Sequence, residues 1–350
     1  MKTGVLIALN KFTIQNADTP IPESNEVLIK VMACGICGSD IHKMQTQWNY
    51  GFPKVIGHEF SGEVVEIGSN VKKFNVGDRV TVAPLIPCME CEYCREGKFQ
   101  LCDHYQMIGT HRMGGFSQFT TVPESNLIKI PDSISFEEAA MVEPLAVAAH
   151  GIMGLNPQIG DTVAIFGLGT IGLLTVQWLR LAGIKRIIGI DIDNEKLKSA
   201  QFYGVTDVIN TREMDLESKI SELTDGQGVD ISIECAGSKI TEEQCLLITK
   251  KAGKIGYQGI AYTDVLLQRK AFENIFRREY TVKGFWNSYS APFPGKEWFH
   301  SISFIEQNKF NLTQMISHKF DLQDLQTAFD IAVNRTELYN KIMIYPNGVN

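Results

Sequence analysis

Short runs of branched apolar residues, broken by turn formers, fill the first 130 positions. The segments 26–33, 62–67, 79–83, 116–122 and 126–130 are rich in Val, Ile and Thr and bounded by Gly, Pro, Asn or Asp, which predicts β-strands. The period changes at Ser135, where Ser135-Phe136-Glu137-Glu138 has the form of a capping box. Its serine hydroxyl and its glutamate three residues on would satisfy free N–H groups at a helix start, which predicts a helix towards Glu143. Pro144 lacks a backbone N–H and is expected to end or kink that helix and to open a second one through His150. From Asp161, strand-like runs at 163–166, 186–190, 207–209, 230–234 and 253–257 alternate with amphipathic stretches such as 194–203, 214–223 and 240–250. That alternation predicts an α/β parallel sheet covered by helices on both faces. Beyond Trp286 the rhythm stops: a Pro- and Gly-containing loop at 290–295 leads to two helical stretches and a last strand near 339–344. This tail is expected to pack back on the first domain. The pattern thus predicts a discontinuous β-rich domain over 1–150 and 287–350, and an α/β domain over 151–286.

The uncharged run 162–179 covers 18 residues, long enough to raise a membrane span. It holds Gly167, Gly169 and Gly172 among threonines, so a buried strand, a glycine turn and a buried helix fit it better, and no membrane partner is expected. The apolar run 5–9 is shorter than a signal-peptide core and meets polar Asn10 and Lys11. With 350 residues, 44% of them hydrophobic and 21% charged, the chain has the material for two packed cores, which excludes wholesale disorder. A net charge of −7 supplies no positive field to gather nucleic acid. The 8 cysteines are too few for a disulfide scaffold, and a reducing cytoplasm is the expected location.

Candidate chemistry begins where 163–166 runs into Gly167-Leu168-Gly169-Thr170-Ile171-Gly172 and then a helical pattern. Such glycines allow a tight turn, approach of a pyrophosphate to the backbone, and close helix-on-sheet packing. Asp191 ends the next predicted strand, where a carboxylate can bind ribose hydroxyls. It would repel a 2′-phosphate, and Ile192, Asp193 and Asn194 offer no arginine to accept one, so NAD is expected over NADP.

Four of the cysteines, Cys88, Cys91, Cys94 and Cys102, lie within one short segment. Four thiolates are what a tetrahedral structural zinc requires, and the mixed charge around them does not suit a nucleic-acid reader. A second set is scattered: Cys37, the pair His58-Glu59, and Glu143 each follow a break in the predicted structure. Cysteine, histidine and carboxylate are zinc ligands, and three of them leave a position open. Nothing in their spacing brings them together. Cys34 and Cys37 also form a Cys-x-x-Cys, which leaves a redox pair open, while Cys34, Cys235 and Cys245 read most simply as small buried residues.

Together these motifs, with Gly35-Ile36-Cys37-Gly38-Ser39-Asp40-Ile41-His42, Gly57-His58-Glu59, Val76-Gly77-Asp78-Arg79-Val80 and Glu143-Pro144-Leu145, resemble the zinc-containing medium-chain dehydrogenase/reductase family over essentially the whole chain. The resemblance implies a GroES-like β-rich catalytic domain, a Rossmann nucleotide-binding domain, NAD, and two zinc ions per chain. One zinc would be catalytic, at Cys37, His58, Glu59 and Glu143, and one structural, at Cys88, Cys91, Cys94 and Cys102. Glu143 stands where classical alcohol dehydrogenases of this family carry cysteine, a departure that resembles the polyol dehydrogenase branch and leaves the direct ligand open between Glu59 and Glu143. The implied reaction is oxidation of a secondary hydroxyl to a ketone, with the proton leaving through Ser39 and the cofactor ribose to His42, and with Asp40 orienting the metal histidine. Segments 284–298 and 109–116 are most similar to members acting on sugar-alcohol phosphates. Free sorbitol- or xylitol-type polyols, butanediol and threonine are the alternatives within the family, and a nucleotide-binding protein with lost activity the alternative outside catalysis. A substrate phosphate would want a cation, for which Arg112, Lys43, Lys54 and Lys296 are candidates. A homodimer or homotetramer is expected.

Overall fold

The computed structural model describes residues 1–46 and 50–348. The chain divides into two compact units, Met1–Glu143 with Tyr289–Asn350, and Pro144–Ser288.

In the first unit the strand order across the main sheet is Ile316–Asp321, Lys341–Tyr345, Glu26–Gly35, Glu59–Ile67, Arg79–Val82 and Leu127–Lys129, with Phe119–Pro123 paired to Glu26–Gly35. The C-terminal strand Lys341–Tyr345 joins antiparallel to Glu26–Gly35, so the tail completes the first domain, and Leu325, Phe329 and Ile344 share one apolar core with Val27, Phe60 and Phe116. A separate hairpin, Lys2–Ala8 with Lys11–Asn16, precedes this sheet. The helix expected after Ser135 forms as Phe136–Ala140, and Ser135 Oγ accepts the Glu138 N–H at 3.2 Å. Its break falls at Met141, earlier than expected, and Glu143 and Pro144 both lie in the first turn of the next helix, Val142–Leu155. A proline there loses no intrahelical bond, because first-turn N–H groups have no partner within the helix.

The second unit holds six parallel strands in the order Asp207–Asn210, Arg186–Asp191, Thr162–Phe166, Val229–Glu234, Thr249–Tyr257 and Thr281–Gly284. This is the doubly wound Rossmann order, and its topological switch point falls between Thr162–Phe166 and Val229–Glu234. The apolar run singled out at 162–179 is strand Thr162–Phe166, the glycine turn and helix Thr170–Leu181. No helix among the described residues is long and apolar enough to cross a membrane.

Candidate active site and metal centres

Cys37 caps the helix Gly38–Gln45, just past the strand Glu26–Gly35, and the Asp40 carboxylate accepts the Cys37 N–H at 3.2 Å. Antiparallel pairing sets Gly35 opposite Glu59, which carries His58 and Glu59 to the same end of the sheet as Cys37. One ligand atom from each of Cys37, His58 and Glu59 lies within 4.8 Å of the others. Close backbone approach is a condition of this arrangement, because a Cβ on Gly35 would collide with Glu59 Oε2. Glu143 is also buried, but it is not part of that three-residue cluster.

The charges around the cluster are compensated at close range. Burial alone would raise the Asp40 carboxyl, yet His58 and Lys43 hold it well below the usual carboxylate range. Burial opposes a charge on His58, and Asp40 outweighs it and raises the imidazole well above its ordinary value. His58 Nδ1 is buried 3.4 Å from Asp40 Oδ1, an ion-pair contact, with no hydrogen-bond partner counted for it among the described residues. Burial pushes Glu143 up to about 7. A soft thiol, an imidazole and carboxylates converging in a buried place fit a divalent zinc, whose charge would keep all of these acids ionised.

The remaining member of the site was missed in the sequence. Lys341 is buried, and its ammonium donates to Glu59 Oε2 at 2.5 Å and to Ile36 O at 3.1 Å. All five residues of its strand, Lys341–Tyr345, are buried, and the unbroken apolar run 342–345 after the lysine is the sequence signal that could have found it. Ser39 and His42 sit three residues apart on the helix Gly38–Gln45, hence on neighbouring faces, and both are half-buried. Burial lowers His42 below its ordinary value of 6.5. Cys34 is wholly buried and its thiol is raised well above normal by that burial, which does not suit a redox partner of Cys37.

In the cysteine loop all four thiols are free, and one sulfur from each lies within 4.8 Å of the rest. Cys88 Sγ and Cys94 Sγ are 3.9 Å apart, close to the ~3.8 Å edge of a tetrahedron with Zn–S bonds of about 2.3 Å. Backbone N–H groups already aim at the sulfurs: Cys88 donates to Cys102 Sγ at 3.2 Å and Cys91 to Cys88 Sγ at 3.4 Å. Backbone donors at Asp103 and Cys94 bring the Cys91 thiol down to about 6. The donor set fits a structural zinc.

In the second unit Gly167 has φ +85°, and a Cβ there would sit 2.8 Å from Ala236. A Cβ on Gly172 would strike the Gly167 carbonyl, whereas one on Gly169 would meet nothing within 4 Å. Gly169, the N-cap of Thr170–Leu181, therefore leaves open space over a helix N-terminus, a cradle that suits a pyrophosphate. Thr170 and Ile171 form the first turn of that helix. Asp191 Oδ2 accepts the Leu168 N–H at 2.8 Å and Oδ1 the Ile192 N–H at 2.7 Å, which fixes the carboxylate beside the turn with acceptor sites to spare.

Residues 23–132 match the family described as "Alcohol dehydrogenase GroES-like domain" and residues 170–307 the family described as "Zinc-binding dehydrogenase". The sorbitol dehydrogenase of Bacillus subtilis is 33% identical over 99% of this chain and 98% of its own. The D-arabitol-phosphate dehydrogenase of Enterococcus avium is 35% identical over 94% of this chain and 93% of its own. Among solved structures, galactitol-1-phosphate dehydrogenase from Escherichia coli superposes with a TM-score of 0.94 at 32% identity, over 99% of this chain and 100% of that one. A zinc-binding dehydrogenase from Sinorhizobium meliloti bound to NADP gives a TM-score of 0.90 at 32% identity, covering 99% of each chain.

Proposed function

From the premise that this chain belongs to the zinc-containing medium-chain dehydrogenase/reductase family, in its polyol dehydrogenase branch, we propose that it oxidises a secondary hydroxyl of a sugar-alcohol phosphate to a ketose with NAD. The observation that carries this reading is the meeting of Cys37, His58 and Glu59 in one buried cluster. Cys37, His58 and Glu59 would hold a zinc ion that would supply Lewis acidity at the substrate hydroxyl, and the glycine turn with Asp191 would hold an oxidised nicotinamide cofactor that would supply the hydride acceptor.

The chain's own residues do the rest. Asp40 orients His58, and Lys341 holds one oxygen of Glu59. Glu59 is thereby the carboxylate ligand in this reading, with Glu143 facing the site as a neutral or charged acid from outside the cluster. Ser39 and His42 carry the released proton away, His42 acting as the terminal base. Gly167, Gly169, Thr170, Ile171 and Gly172 receive the pyrophosphate on backbone N–H groups, and Asp191 accepts the adenosine ribose hydroxyls and repels a 2′-phosphate. Cys88, Cys91, Cys94 and Cys102 clip their loop with a second zinc. The edge strand Thr281–Gly284 is exposed along its length, apolar Val282 included, and the preceding helix Arg269–Arg277 exposes Phe272 and Phe276, which supports assembly as a homodimer or homotetramer.

Free sorbitol or xylitol, butanediol and threonine remain the competing substrates within the family. Incubation of zinc-loaded protein with each and with NAD, followed by product identification, separates them: a ketose phosphate is the expected product, and turnover confined to threonine or butanediol overturns the substrate class.

A further inference from the structure

Basic side chains gather beside the ligand cluster without belonging to it. Lys43 stands in the last turn of the helix that Cys37 caps, and its ammonium lies 3.4 Å from Asp40 Oδ1 and 3.4 Å from Gly109 O. Asp40 Oδ1 is in turn 3.4 Å from His58 Nδ1, so a single carboxylate separates Lys43 from the cluster. Gly109 belongs to the loop that carries His111 and Arg112, and these two with Lys54 line an open cleft of about 280 Å³ walled by Pro53, Val55 and Met113.

The members of this group are not equivalent. Arg112 is committed to an ion pair with the buried Glu26 and serves the fold. Lys43 is shared with Asp40. Lys54 makes no salt bridge among the described residues. The Met107 N–H donates to His111 Nδ1 at 3.0 Å, which fixes the neutral ring as the tautomer with its proton on Nε2. That leaves Nε2–H as a donor, on a ring held edge-on to Tyr50 at 4.6 Å between centroids. Burial and the positive fields of Lys54 and Lys43 push His111 below its ordinary value. Like charges crowd this place, and an anion would relieve them.

We infer that Lys54, Lys43 and the Nε2–H of His111 form a subsite for the phosphate of a polyol monophosphate whose reacting hydroxyl lies at the Cys37–His58–Glu59 cluster. Lys43 ties the two places together, 3.4 Å from Asp40 Oδ1 on the cluster side and 3.4 Å from Gly109 O on the side of the His111 loop. The inference rests on the polyol reading and sharpens it, because a free polyol brings hydroxyls but no anion to these cations. Charge-assisted hydrogen bonds to each of them would supply the discrimination.

The test uses the zinc-loaded protein and its Lys54→Met and His111→Gln variants, with Lys54→Arg keeping the charge. Inorganic phosphate is titrated into each by calorimetry, and kcat and KM are measured for galactitol 1-phosphate and D-arabitol phosphate against galactitol and D-arabitol. Lys54→Met and His111→Gln should each weaken phosphate binding by about tenfold and raise KM for the esters more than for the free polyols, with Lys54→Arg restoring most of the loss. Phosphate that does not bind the wild type, or binds all variants equally, overturns the subsite. Free polyols oxidised without any phosphate binding remove the subsite and leave the polyol reading. Phosphate binding that is lost in the variants, with no polyol oxidised, keeps the subsite and removes that reading instead.

Discussion

Lys341 Nζ lies 2.5 Å from Glu59 Oε2, and both side chains are only 2% exposed although 282 positions separate them in sequence. The last strand of the chain thereby places a positive charge behind a carboxylate of the ligand cluster. Glu59 Oε2 accepts from the ammonium, and the carboxylate keeps acceptor sites for the cluster.

Breaking that pair should have a metal-dependent cost. Lys341→Met leaves a buried carboxylate uncompensated in the metal-free protein, a loss of about 3–5 kcal/mol by urea unfolding. With zinc bound, the cation partners Glu59 and the loss should be clearly smaller. Equal losses with and without zinc would mean that Glu59 does not face the metal.

The two zinc sites should empty independently. His58→Asn is expected to lower the zinc content from two ions per chain to one and to reduce turnover by more than about a hundredfold, beyond the cost of losing an outer-shell partner. Cys102→Ser should also leave one zinc, but keep the Cys37 site loaded and expose segment 88–102 to proteolysis. Metal analysis and limited proteolysis read both; a variant that keeps two ions contradicts the assignment of its site.

Cofactor choice should turn on Asp191. Asp191→Ala removes both the ribose acceptor and the bonds to the Leu168 and Ile192 N–H groups, so kcat/KM with NAD should fall by about tenfold or more. The ratio of NAD to NADP efficiency should narrow with it. An unchanged ratio would detach Asp191 from the adenosine ribose.

The pH profile should carry the mark of His42. A terminal base works only while neutral, so activity is retained above its pKa and lost as pH falls through it. Burial places that pKa below 6.5, and the acid limb of kcat/KM should therefore lie below that value. In His42→Gln the rate should drop by about a hundredfold, at the low end of what general-base catalysis contributes, and the limb should move. A variant with the wild-type profile would show that the proton leaves by another route.

Local spacing made the cysteine loop and the glycine turn legible, since each site is built within one short segment. The Cys37 cluster depends on register: Gly35 faces Glu59 across two strands, and a sequence contains no statement of which residues pair. Only the family resemblance brought them together, and it left Glu59 and Glu143 undivided. Lys341 escaped because a lysine reads as a surface charge until the whole strand Lys341–Tyr345 is seen to be buried. The edge strand Thr281–Gly284 escaped for the opposite reason, being exposed throughout and so without alternation. Ile316–Asp321 does alternate, half-buried with exposed, and was open to a closer reading of its period.

The most direct measurement is the rise of the reduced-nicotinamide absorbance band when zinc-loaded protein and NAD meet phosphorylated hexitols and pentitols, repeated after the metal is stripped. Zinc-dependent reduction of NAD with a polyol phosphate, lost on stripping and restored by zinc, is the predicted result. Full activity in the metal-free protein, or no reduction of NAD with any polyol or polyol phosphate, would contradict it.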